Sequence, residues 1–281
     1  MTCNEHDAWS APVVGTWRNQ YGSLLDITRH DASGFVSGTY RSETGATGTY
    51  PAVGWIGEAH EGNCPFAISV FWRPLDSDVV DPGWHWVSVM TGVLYAGKHL
   101  QVQHGLVASG PFDAVELSEP GVYSETLMFD RVSAPHRAIG QGAPKAAASR
   151  AVGLRGEPHG WIESIDYVYD DAGRVSGTLT TRDGAALPVG GFIDPAPQGA
   201  LQSVSLTMLK PGNDGRATAI GIGGFVDRIA KRAALERFTA RAVAHGNRYA
   251  GVSIAHDALA VAFIESPSKG SHGFLHEVSV P

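Results

Sequence analysis

GTWRNQYGSLLDITRHDASGFVSGTY, residues 15–40, sets the pattern for the whole chain, because it returns as GLRGEPHGWIESIDYVYDDAGRVSGTL at 153–179. Each copy opens on Gly and places a second Gly seven residues later, Gly22 and Gly160. Each then alternates apolar with polar residues, turns at Ala-Ser-Gly or Ala-Gly, and closes on Val-Ser-Gly-Thr, Val36–Thr39 and Val175–Thr178. A later pair, Ala67–Pro74 and Ser203–Pro211, keeps nearly the same offset. Self-similarity at a constant offset is the mark of a tandem duplication.

Within each copy the segments alternate at period two and are rich in Val, Ile, Thr and aromatics. Leu24–Thr28, Phe35–Tyr40, Ala67–Trp72, Trp84–Met90, Leu100–Ala108 and Tyr123–Val132 are such segments, with short turns between them. That pattern predicts an antiparallel up-and-down sheet. A sheet of about eight strands loses its edges by closing into a barrel, and a barrel of that size holds one small ligand. The fold class expected is all-β, two tandem up-and-down barrels. Their bounds are 12–133 and 150–266, with a linker at 134–149 and a tail at 267–281. Asp227–Ala244 has helix-forming residues at helical spacing, but the duplication argues for strands there.

Bulk properties narrow the function classes. The chain has 281 residues, 17% charged, with 35 Gly and a formal charge of −7. A net negative charge disfavours nucleic acid and anionic membranes, which call for clustered Lys and Arg. No apolar run is long enough to span a bilayer as a helix. Residues 1–12 lack the basic patch and apolar run of a secretory signal, so a cytoplasmic location is the expectation. A bridge between Cys3 and Cys64 is open, with a reduced pair expected in that compartment. No histidine spacing suggests a metal, and Gly221–Gly224 opens no phosphate-binding unit, so no metal or cofactor is expected. His256 and Asp257, adjacent in a strand, fall on opposite faces.

Gly15–Ser23, with Gly38–Ser42, Val70–Trp72 and Thr126–Leu127 in order, resembles the avidin and streptavidin family across most of residues 12–133. The resemblance implies a pocket in which Asn19, Ser23 and Tyr40 converge on a carbonyl oxygen. Ser42 and Asp130 would accept the ureido N–H groups, and Trp72 would form a wall. Tyr21, Thr44, Ser88 and Leu106 complete the implied ligand set. A carbonyl buried in an apolar barrel needs such donors, because it gives up its hydrogen bonds to water. Asn19 alone would pass for a turn residue, and Trp72 for barrel core. The family's tryptophan positions carry Leu106, Met90 and Tyr123 here. The second copy has Glu157, His159, Trp161, Leu179 and Thr181 where the first has Asn19, Tyr21, Ser23, Tyr40 and Ser42. A carboxylate cannot donate to a carbonyl oxygen, so that copy does not hold a urea in the family's way.

Three functions follow as expectations. One is a binding protein for biotin or a related hydrophobic molecule bearing a carbonyl or urea. Another is an enzyme of isomerase, cyclase or lyase type that uses the same donors as an oxyanion hole. Its proton carriers would be drawn from Tyr40, Asp130, His104 and Tyr123. The third is a pseudo-dimer whose second barrel supports the first, with homo-oligomers through barrel faces as a further prospect.

Overall fold

The structure, a computed structural model, describes residues 13–43, 47–76, 82–111, 116–133, 149–212, 214–242 and 252–264. Thr44, Cys3, the linker at 134–148 and the tail at 267–281 lie outside the described residues.

Strands β1 (Gly15–Asn19), β2 (Leu24–His30), β3 (Phe35–Ser42), β4 (Gly48–Ile56), β5 (Asn63–Phe71), β6 (Val87–Tyr95), β7 (His99–Ala108) and β8 (Gly121–Ser133) form one closed antiparallel barrel. The second barrel repeats this order. It comprises β9 (Arg150–Gly156), β10 (Ile162–Tyr169), β11 (Arg174–Thr181), β12 (Ala186–Ile193), β13 (Leu201–Lys210), β14 (Thr218–Asp227), β15 (Arg232–Arg241) and β16 (Val252–Ile264). Closure follows from β8 returning to β1 and β16 to β9, which leaves neither sheet an open edge. The helical spacing near 227–244 gives way to β15, which is laddered to β14 on one side and β16 on the other. Backbone pairing on both sides outweighs local helix propensity.

The duplication extends to the hydrogen bonds of matching turns. In Asp31–Gly34, Asp31 Oδ1 accepts from the N–H of Ser33 and Phe35, at 3.0 and 3.2 Å. In Asp170–Gly173, Asp170 Oδ1 accepts from Ala172 and Arg174, both at 2.9 Å. Each turn needs its glycine, since Gly34 and Gly173 have φ of +85° and +75°. Each of those glycines also accepts a backbone bond of 2.8 Å, from Ile56 and Ile193.

Alternating residues fill each lumen. Trp17, Leu25, Ile27, Val36, Ile68, Leu100, Val102, Leu127 and Phe129 belong to the first core. Leu154, Ile165, Leu179, Leu206, Ile222 and Leu235 belong to the second. Four central strands break the alternation. Every residue of β5 and β6 is buried, and β13 and β14 are nearly so. These strands are covered on both faces because the barrels lie against each other there. Phe71 and Phe192 stack across the seam at 5.7 Å. Ser205 Oγ donates to the carbonyl of Ser88 at 2.8 Å, so the 2.7 Å contact between the Ser69 and Ser205 hydroxyls has Ser69 as donor. His85 Nδ1 meets Asp194 Oδ2 at 2.9 Å, and Ser203 Oγ donates to the His85 carbonyl at 2.7 Å. Small residues permit this approach. A Cβ on Gly221 would run into Thr91 and Val89, and one on Gly105 would lie 2.9 Å from Phe238.

Cys64 carries a free, buried thiol, and burial pushes its pKa up to about 11.

Candidate functional site

The turn between β1 and β2 brings the first polar group together. Asn19 Oδ1 accepts from the backbone N–H of Tyr21 at 3.0 Å and of Ser23 at 2.9 Å. Those two bonds fix the orientation of the amide, with its NH2 turned into the lumen. There Asn19 Nδ2 lies 3.4 Å from the Tyr40 hydroxyl, buried. Asn19 therefore serves the turn with its oxygen and the lumen with its nitrogen. The Ser23 hydroxyl also bonds the Tyr40 phenol. Burial pushes the Tyr40 pKa above its ordinary value, against those two hydrogen bonds, and the nearby Glu125 carboxylate pushes it the same way as burial. The phenol thus keeps a proton to donate. Ser42, two residues along β3, is buried on the same face as Tyr40.

Above this trio stands an aromatic wall. The Trp72 ring meets Tyr40 edge-on at 6.1 Å and Tyr50 at 4.9 Å, while its Nε1–H donates to Ser88 Oγ at 2.8 Å. Ser88 Oγ lies 2.9 Å from His104 Nε2, and His104 Nδ1 lies 3.2 Å from Glu125 Oε1. A carboxylate only accepts, so Nδ1 carries a hydrogen for Glu125. In the neutral ring, Nε2 then accepts from Ser88. The result is a continuous row, Trp72–Ser88–His104–Glu125, whose carboxylate also bonds the Tyr21 hydroxyl. Ser88 is fully buried. The row therefore positions groups and does not expose a nucleophile.

The hydrogen bond from His104 lowers the Glu125 pKa against partial desolvation, with the His104 charge adding to the shift. A carboxyl whose folded pKa is lowered contributes stability above its ordinary value of 4.5, lost as the pH falls through the lowered one. Glu125→Gln should therefore unfold at lower temperature than the parent protein at pH 7. The gap should shrink as the pH falls below 4.5 and close below the lowered value, where both carry a neutral side chain. A gap that stays constant down to that pH would remove the ionised pair as its cause.

Strand register corrects one expected site residue. Leu127 and Phe129 point into the first core, so Asp130 points out, and its carboxylate bonds His99 in solvent at 2.6 Å. The inward acid of β8 is Glu125, which motif spacing does not reveal. The parity of Leu127 and Phe129 does. Tyr123, on the same face one step closer to the mouth, donates its hydroxyl to the Glu119 carbonyl at 2.6 Å and lies opposite Leu106. Met90 is fully buried in the first core.

The second lumen is arranged otherwise. Trp161 packs against the second core and carries the Arg237 guanidinium at 4.5 Å and the Lys210 ammonium at 5.6 Å from its ring. Arg237 pairs with buried Asp257 at 2.8 Å. His256 faces the other way, to Glu236 at 3.1 Å. Among the described residues, no group of three or more His, Cys, Asp or Glu gathers as a metal site.

The model of the Avidin family matches residues 8–95, which include the Asn19 turn, Tyr40, Trp72 and Ser88. Over those residues the first barrel is similar to the Avidin family. The second barrel repeats the strand order of the first with a different interior, so the chain is a tandem pair of closed eight-stranded barrels. Among solved structures, the crystal structure of Xenavidin is similar at 22% identity and a TM-score of 0.34, over 44% of this chain and 99% of that one. A comparison with curated proteins finds no match.

Proposed function

We propose that the first, avidin-type barrel binds biotin or a related cyclic urea, lactam or ketone by its carbonyl oxygen. The observation that carries this reading is the Asn19–Ser23–Tyr40 cluster: three donors in an apolar lumen, with the Asn19 oxygen already committed to the turn. Donors so placed replace the water that a buried carbonyl gives up. Ser42, on the same inward face, supplies an acceptor for a ligand N–H, and Trp72 and Tyr50 supply flat apolar area. Leu106, Met90 and Tyr123 shape a wall poorer in tryptophan, which suits ligands other than biotin itself.

Thermal unfolding with added biotin tests the reading. A ligand at 100-fold excess over its Kd adds about 2.7 kcal/mol. Tyr40→Phe, which removes one donor, should shrink that gain. No shift with biotin or with simpler cyclic ureas would sink the proposal.

The His104–Glu125 pair beside the trio favours a second reading, an enzyme that polarises a carbonyl with Asn19, Ser23 and Tyr40. In that case Tyr40→Phe lowers turnover more than substrate binding.

A further inference from the structure

We infer that the mouth of the first barrel carries a cation subsite, in which the Glu125 carboxylate, flanked by Tyr21 and Tyr123, takes a protonated nitrogen on the ligand. The inference rests on the carbonyl reading above and adds to it the chemistry at the ligand's other end.

Register places the subsite. Asn19 lies opposite Phe129, so Glu125 stands four residues further along β8, roughly 13 Å toward the mouth at 3.3 Å per residue. Its side chain is 43% exposed, whereas His104 beneath it is 9% exposed. One carboxylate oxygen accepts from His104, itself held by Ser88 and, through Ser88, by Trp72. The carboxylate is thus fixed in place before any ligand arrives, so little ordering cost remains at binding. Tyr21, whose hydroxyl bonds the same carboxylate, is exposed at the rim, and Tyr123 lies on the same inward face two residues away. A carboxylate with tyrosines nearby offers an ammonium a counter-charge and aromatic neighbours.

The neighbouring arginines among the described residues point away from the site. Arg18 and Arg41 alternate with the inward Asn19 and Tyr40 and are exposed, and Arg41 pairs with Glu43 at 3.7 Å. Arg131 lies far down β8, over the Trp17 ring at 4.8 Å. Glu125 is the more exposed partner and His104 lies beneath it, so a ligand tail at this level meets the carboxylate first. A carboxylate tail is repelled there and an ammonium tail is attracted.

Calorimetric titration of the full chain at pH 7.5 with three probes tests this: biotin, biotinamide and N-(2-aminoethyl)biotinamide. The three share a urea and differ in tail charge. Affinity should rise in that order, by about tenfold from end to end, and rising salt should narrow the spread. In Glu125→Gln the order should collapse, while His104 keeps a hydrogen-bond acceptor. Equal binding of all three by the parent protein overturns the cation subsite and leaves the carbonyl reading standing. An order that survives in Glu125→Gln overturns it too. Binding of none of them overturns both. The parent series and its salt dependence decide the matter even if the variant folds poorly.

Discussion

Asn19→Asp should leave the first barrel folded and cost it about two orders of magnitude in affinity for biotin, near 3 kcal/mol. The fold survives because a carboxylate oxygen still accepts from Tyr21 and Ser23, the bonds that close the β1–β2 turn. Binding suffers because the substitution replaces the inward NH2 by a second acceptor, 3.4 Å from the Tyr40 hydroxyl. Tyr40 would then donate to residue 19, and two of the three donors would be withdrawn from a ligand carbonyl at once. Asn19→Ala is a poorer probe, since it also orphans two backbone N–H groups. Titration calorimetry gives the affinity, and the unfolding temperature without ligand gives the control. A loss of less than about threefold would place the carbonyl elsewhere.

The second large effect belongs to the seam. Gly221→Val should destabilise the chain by about 3 kcal/mol, which lowers its unfolding temperature by roughly 6–10 °C. Gly221 faces away from the second lumen and into Val89 and Thr91 of the first barrel. Both strands there are buried on both faces, so an added side chain has no room to turn aside. The isopropyl group must push the barrels apart, and with them the Ser69–Ser205–Ser88 hydrogen bonds nearby. Scanning calorimetry should show the joint transition broaden or split as the two barrels lose contact. An unchanged profile would mean that the seam yields more easily than its packing implies.

Much of this was legible from residue order alone. Period two and the repeated Val-Ser-Gly-Thr gave the strands and the two barrels, because alternation is imposed by the geometry of any half-buried strand. The Asn19, Ser23, Tyr40 and Ser42 positions were legible through the family resemblance, and the structure places them on one inward surface. Asp130 fails because the resemblance does not fix which face of the strand it takes, whereas inward and outward are decided by parity with Leu127 and Phe129. Glu125 went unseen for the same reason, together with its partnership with His104, which joins residues 21 positions apart. The seam was harder to read. Its contacts come from Ser69, Ser205, Gly221 and Gly105, small residues that look solvent-facing in sequence. Residue order gives no sign of it, since Ser203–Met208 alternates polar with apolar residues as a half-exposed strand would.

That seam has a bearing on how the protein behaves when scarce. Two separate barrels joined by the same face would come apart on dilution, and each would be less stable alone. Here both faces belong to one polypeptide, so their encounter is intramolecular, governed by an effective local concentration that the solution cannot lower. The first barrel keeps its support at any abundance. Because its partner is not a copy of itself, the second barrel has been able to fill its own lumen with Trp161 and the Arg237–Asp257 pair. On the proposed reading, the stoichiometry that results is one ligand for each chain.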